Sequence, residues 1–210
     1  EIFNIPIKLS VRKNKKNKEI FSKLVSKKIR LNMENYFEYE NRIKNGNLDI
    51  NLINKETTIK YNIDKNSLNF KSKNKKNIFS GFIDFKPFYF FSNFNFERLK
   101  SNLIFNEDSI FIDLIKSELL NNQNLNVELI FKISEISDIS DLNDLILKIK
   151  IEQGNIIPFD SEIMWKEYLK INLEESLLNY NEGEINLTGS VSIDVKNIDE
   201  FYKSFQVKKK

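Results

Sequence analysis

Between Glu184 and Lys196 the chain alternates without interruption. Ile185, Leu187, Gly189, Val191, Ile193 and Val195 fall on odd positions, and Glu184, Asn186, Thr188, Ser190, Ser192, Asp194 and Lys196 on even ones. An extended strand puts successive side chains on opposite faces, whereas a helix would scatter these residues around its circumference. At about 3.3 Å per residue such a strand runs roughly 40 Å, well beyond the usual length. A chain built this way must form a sheet with one greasy and one wet face.

The same period recurs upstream. Ile29, Leu31 and Met33 alternate with Arg30, Asn32 and Glu34, and Leu48, Ile50, Leu52 and then Ile59, Tyr61, Ile63 continue the pattern. Leu68 and Phe70 form a short run; Phe82 to Phe85 leads through an aromatic stretch to Phe94 and Phe96. Val127, Leu129, Phe131 and Ile133, then Leu145, Leu147, Ile149 and Ile151, then Leu169, Ile171 and Leu173 complete it. Turns are expected at Asn45-Gly46-Asn47, Asn54-Lys55-Glu56, Asp64-Lys65-Asn66, Gly154-Asn155 and Asn181-Glu182-Gly183. Their spacing is that of hairpin-linked antiparallel strands, with Lys-Asn clusters at Lys13 to Lys18 and Lys71 to Asn77 as solvated hairpin tips. Two segments break the period. Asn106 to Asn122 carries helical spacing after a capping Asp108 or Ser109, which predicts a helix near 107–122; a second, short helix is predicted near 197–205. Ser137 to Asn143 reads as a loop or a single helical turn. The expected architecture is a mainly β, long antiparallel twisted sheet over residues 1–210. It forms a single elongated segment whose best candidate junction is 71–77.

Composition excludes much chemistry. The chain has no Cys and no His, so disulfides, thiolate catalysis and the commonest neutral-pH base and metal ligand are absent. It also has no Ala, while Ile, Phe, Lys and Asn abound, as AT-rich codons favour; such a chain leans toward strands. A net charge of +3 from 33 basic and 30 acidic residues describes a mixed surface, not a nucleic-acid footprint. The longest aromatic cluster, Phe88 to Phe91, falls far short of the roughly 20 residues a membrane helix needs. The sequence begins at Glu1 without Met and ends in three lysines, and reads as a piece of a longer protein.

The candidate sites each have a plainer reading. Five glycines build no phosphate loop. A glycosidase-like carboxylate pair is conceivable among Glu152, Glu162, Glu174 and Glu175, but these sit on predicted polar faces as solvated charge. Asp138, Asp141 and Asp144, with Asn143, are calcium-ligand types, but lack the glycine of known loops and read as loop acidity. The aromatic stretch Phe79 to Phe96 is either a β core or an apolar wall facing a greasy ligand, with Pro87 marking an edge or bend. No enzyme, cofactor or metal is expected.

Four runs carry a family resemblance: Gly81–Phe90 (GFIDFKPFYF), Leu114–Leu125 (LIKSELLNNQNL), Ile163–Asn172 (IMWKEYLKIN) and Asn186–Tyr202 (NLTGSVSIDVKNIDEFY). They resemble AsmA-like proteins of small AT-rich Gram-negative bacteria. The resemblance covers most of the chain and rests on β patterns rather than chemical signatures. It implies an internal or C-terminal periplasmic segment, held at the inner membrane by a helix outside this sequence and working in outer-membrane assembly. Relatives in the wider AsmA and TamB group are thought to curl long sheets into grooves that carry phospholipid.

The residues independently allow that role. A sheet with one apolar face must cover it, with a second sheet or with acyl chains, each buried CH₂ contributing about 0.8 kcal/mol. The expected groove-lining residues are Ile29, Leu31, Ile50, Leu52, Phe85, Phe90, Leu129, Phe131, Ile149, Ile171, Leu187, Val191 and Ile193. The expected partners are phospholipid acyl chains and other envelope proteins, not nucleic acid. The competing readings are a structural or adhesive β-sandwich or solenoid, a sandwich enzyme or lectin, and an outer-membrane barrel.

Overall fold

The computed structural model describes residues 6–16, 18–27, 30–38, 44–52, 55–73, 77–101, 115, 120, 122–181 and 184–205. Among them are thirteen strands and one helix: β1 (Lys8–Asn14), β2 (Glu19–Ser26), β3 (Leu31–Glu38), β4 (Lys44–Leu52), β5 (Lys55–Ile63), β6 (Ser67–Ser72), β7 (Asn77–Phe85), β8 (Phe88–Leu99), β9 (Asn126–Ile136), β10 (Leu142–Glu152), β11 (Asn155–Trp165), β12 (Leu169–Asn181), β13 (Glu184–Val195) and α1 (Ile198–Ser204). All strands join one sheet in sequence order, with β1 and β13 at its two edges, so it does not close into a barrel. Contacts group the chain into two compact units, Glu1–Pro87 and Phe88–Lys210.

The mainly β, single-sheet architecture is the expected one, with one departure: β8 and β9 run parallel, Phe90 opposite Val127 and Phe94 opposite Phe131. Parallel neighbours need a long crossover, and residues 100–125 provide it. The predicted helix near 107–122 falls in that connection and, apart from Ile115, Leu120 and Asn122, lies outside the described residues. Ile115 and Leu120 are themselves helical. The second predicted helix is α1, its N-cap Asn197 accepting from the Asp199 and Glu200 amides as a short polar cap should.

Turn chemistry explains two of the hairpins. Asp64 accepts from the Asn66 and Ser67 amides at 2.8 Å, closing the β5–β6 turn. Gln153 and Gly154, with φ of 53° and 79°, form a two-residue primed turn between the paired Glu152 and Asn155. The turn expected at Asn45-Gly46-Asn47 is not one: these residues lie inside β4, Gly46 paired with Phe37 and Tyr61. Glycine is needed there for space, because a Cβ would run into the Tyr61 ring. Of the turns expected at Asn54-Lys55-Glu56 and Asn181-Glu182-Gly183, Lys55 and Glu56 instead open β5 and Asn181 ends β12, while Asn54, Glu182 and Gly183 lie outside the described residues.

Bulges keep the greasy residues on one side. In β12, Leu169, Ile171 and Leu173 occupy odd positions and Leu178 an even one. A register shift between Leu173 and Ser176 absorbs the extra residue. In β11 the same switch separates Ile156 and Pro158 from Ile163 and Trp165, with a register shift against β10 between Ile146 and Lys148 and Asp160 at φ 39°.

Candidate functional site

Register fixes which side chains share a face. In the unit Phe88–Lys210, Phe90, Ser92, Phe94 and Phe96 stand opposite Val127, Leu129, Phe131 and Ile133. These in turn oppose Ile151, Ile149, Leu147 and Leu145. Ile156 and Pro158 continue the face beside Ile151 and Ile149. Ile163 and Trp165 meet Ile171 and Leu169, which meet Ile193 and Val195; Leu173 meets Val191, and Leu178 meets Leu187. One face of β8 to β13 is thus nearly all apolar. It ends beside Ile133 in a cross-strand pair, Arg98–Glu135 at 2.6 Å.

This face is covered unevenly. Near β9–β11, Ile115 is buried with Val127, Ile149, Ile151 and Ile156, and Phe90, Leu129 and Phe131 pack against that cluster. Each fully buried aliphatic side chain contributes about 1.5–3 kcal/mol. At the Trp165 end, α1 lays Phe205 edge-on against the indole at 5.0 Å, Phe201 lies 4.9 Å from Phe205, and Tyr168 donates to Ser204 at 2.6 Å. Between these lids the face opens. Leu187, Val191 and Ile193 are 52%, 61% and 60% exposed, although their strand neighbours Ile171 and Leu173 are half-buried.

In the unit Glu1–Pro87, Leu24, Met33 and Ile50 share a face, with Leu31 beside Met33 and Leu48 beside Ile59. Phe85 follows Ile83, which pairs with Leu68 on that side, and is itself exposed. Leu52 pairs with Leu31 in register, but its side chain, like all of Ile29, lies outside the described residues. A polar chain crosses this face. Tyr61 reaches over Gly46 to donate to Asn35 at 2.7 Å, and Asn35 donates to Ser22 at 3.2 Å. Burial raises the Tyr61 phenol above its usual range, outweighing the hydrogen bond to Asn35.

The opposite faces carry the charge. Lys23 pairs with Glu34 at 2.6 Å, and the hydrogen bond from that ammonium holds the Glu34 carboxyl below its usual range. Thr58 donates to Asp49 at 2.6 Å and Asn51 to Glu56 at 3.1 Å. Glu162, of the glycosidase set, is paired with Lys170 at 2.5 Å. Asp138 accepts from the Ser101 amide at 2.7 Å, and Asp141 lies 3.6 Å from Lys166, so these loop carboxylates face separate donors. Among the described residues no three acidic groups converge as a metal site would require.

The structure therefore brings Phe90, Leu129, Phe131, Ile149, Ile171, Leu187, Val191 and Ile193 onto one face, and Leu31, Ile50 and Phe85 onto another. Sequence reasoning missed the Ser22–Asn35–Tyr61 chain, whose one clue was the glycine opposite a tyrosine. It also missed α1 as a cover over Trp165. No family model, curated protein or solved structure matches the chain.

Proposed function

We propose that the chain is a non-enzymatic periplasmic envelope module that lodges phospholipid acyl chains on its apolar sheet faces during outer-membrane assembly, as the AsmA-like resemblance implies. Its attachment to the inner membrane would come from a segment outside this sequence. The observation that carries the reading is the open strip of Leu187, Val191 and Ile193, coplanar with a packed core yet left to solvent. An exposed apolar strip of this kind marks a binding surface. Aliphatic side chains hold acyl chains through transfer energy alone, about 0.8 kcal/mol per buried CH₂, with no need for a polar anchor. The Arg98–Glu135 pair bounds the same face at one end, where headgroups would remain in water.

The test is lipid content. Protein purified from membranes without detergent should carry phospholipid detectable by mass spectrometry. The double variant Val191→Asp with Ile193→Asp should lose most of it while keeping its β circular dichroism, because both positions are solvent-facing in the free protein. Lipid-free wild-type protein would overturn the proposal.

A further inference from the structure

The two edge strands are complementary to each other. All seven residues of β1 are exposed, as is nearly every residue of β13, and no described strand lies outside either. Among the described residues no strand pairs with either outer edge, and proteins ordinarily protect such edges with bulges, prolines or lysines. Within β13 there is no Pro and no Lys, and the bulge in the last hairpin belongs to β12. The edges also differ in charge. β1 carries Lys8, Arg12 and Lys13 and no acid, while β13 carries Glu184 and Asp194 and no base.

We infer that β13 of one copy adds antiparallel to β1 of a second copy, continuing the sheet head-to-tail. One register satisfies the side-chain requirements. Leu9 faces Ile193 and Val11 faces Val191, so the exposed aliphatic residues of both edges cover one another, and on the reverse face Lys8 meets Asp194. Leu9, Val11, Val191 and Ile193 are 63%, 60%, 61% and 60% exposed, and cross-strand pairing shields part of each side chain from water while the sheet face itself stays open. Shifting the register by two residues either way loses the Lys8–Asp194 pair, one shift setting Lys8 against Lys196 instead. Pairing β1 with β1 brings like charges together across the ladder, and pairing β13 with β13 leaves the basic edge unmatched. A head-to-tail contact of this type is heterologous, so it joins copies into rings or open chains rather than into a two-fold dimer. Val191 and Ile193 also belong to the proposed lipid strip, but the edge pairing holds whether or not that face carries lipid.

The absence of native cysteine makes the register directly testable. Leu9→Cys and Ile193→Cys variants are purified separately, mixed, and oxidised. Directly opposed residues bring Cβ atoms to roughly 4.5–5.5 Å, close enough to bridge after a small adjustment. The expected result is a disulfide-linked species in the mixture but in neither variant alone. Adding Lys8→Glu to the first variant lowers its yield about fivefold, and adding Asp194→Lys to the second restores it. Circular dichroism confirms that each variant remains folded. The inference is overturned if the mixture gives no cross-link, or if a mixture of Ile193→Cys and Leu187→Cys cross-links instead, the signature of two β13 strands pairing with each other.

Discussion

Tyr61 shows how one side chain can govern three strands. Its ring occupies the space that Gly46 leaves open, and its hydroxyl reaches Asn35. Replacing a strand glycine with alanine at an unhindered site commonly stabilises a protein by about 0.4–1 kcal/mol through the unfolded chain. Here overpacking should reverse the sign: Gly46→Ala is expected to destabilise by about 1–3 kcal/mol in urea unfolding. Adding Tyr61→Ala to that variant should recover part of the loss, and simple additivity of the two changes would show that the ring is not the obstacle. The same residue yields a pH dependence. Its phenol is raised above 10.0 in the folded state, so the fold holds that proton more tightly than the unfolded chain does. The resulting stability is complete below the unfolded value and is lost as pH climbs through the folded one. Between about pH 9 and 11, wild type should therefore lose unfolding free energy faster than Tyr61→Phe. Parallel profiles would exclude the effect, since all other titrating groups are common to both proteins.

At the scale of elements, the period of two was legible wherever an apolar run stayed in phase, as in β9, β10 and β13. It was illegible where physics interrupted the phase. β11 carries Pro158 and changes face at Asp160, so its apolar residues alternate in two halves that cancel. β1 was hidden by its basic residues, because an exposed edge strand needs few apolar residues. Gly46 was misread as a turn because a glycine's space requirement is set by a residue on the next strand. The parallel β8–β9 ladder could not be read at all, since pairing order depends on the path of the intervening chain. The residue that covers the face belongs to that same path. Ile115 is 2% exposed against Val127, Ile149, Ile151 and Ile156, so Ile115→Ala should cost about 2–5 kcal/mol. Ile193→Ala, on the same face but open, should change stability by less than about 0.5 kcal/mol. Equal losses at the two positions in denaturant titrations would mean that the face is covered along its whole width.

Over the whole molecule, each strand pairs only with its neighbours in sequence, so stability is built locally and need not be uniform. Among the described residues, every buried apolar side chain belongs to the unit Phe88–Lys210. The unit Glu1–Pro87 contributes buried Ser26 and a polar chain through Asn35, which supply much less transfer energy. Its strands should therefore open at lower denaturant. The chain supplies a convenient reporter, for its one tryptophan, Trp165, lies in the unit with the core and is packed against Phe205. Far-ultraviolet circular dichroism follows the strands of both units at once. In a guanidinium titration the dichroism should begin to fall before the Trp165 fluorescence changes, giving two transitions where a single cooperative sheet would give one. Superimposable curves would mean that the ladder transmits stability across the full sheet despite the uneven burial. The same gradient bears on the proposed cargo: an apolar face that is packed at β9–β11 and open at β13 can release a bound chain from its open side without dismantling the part that holds the fold together.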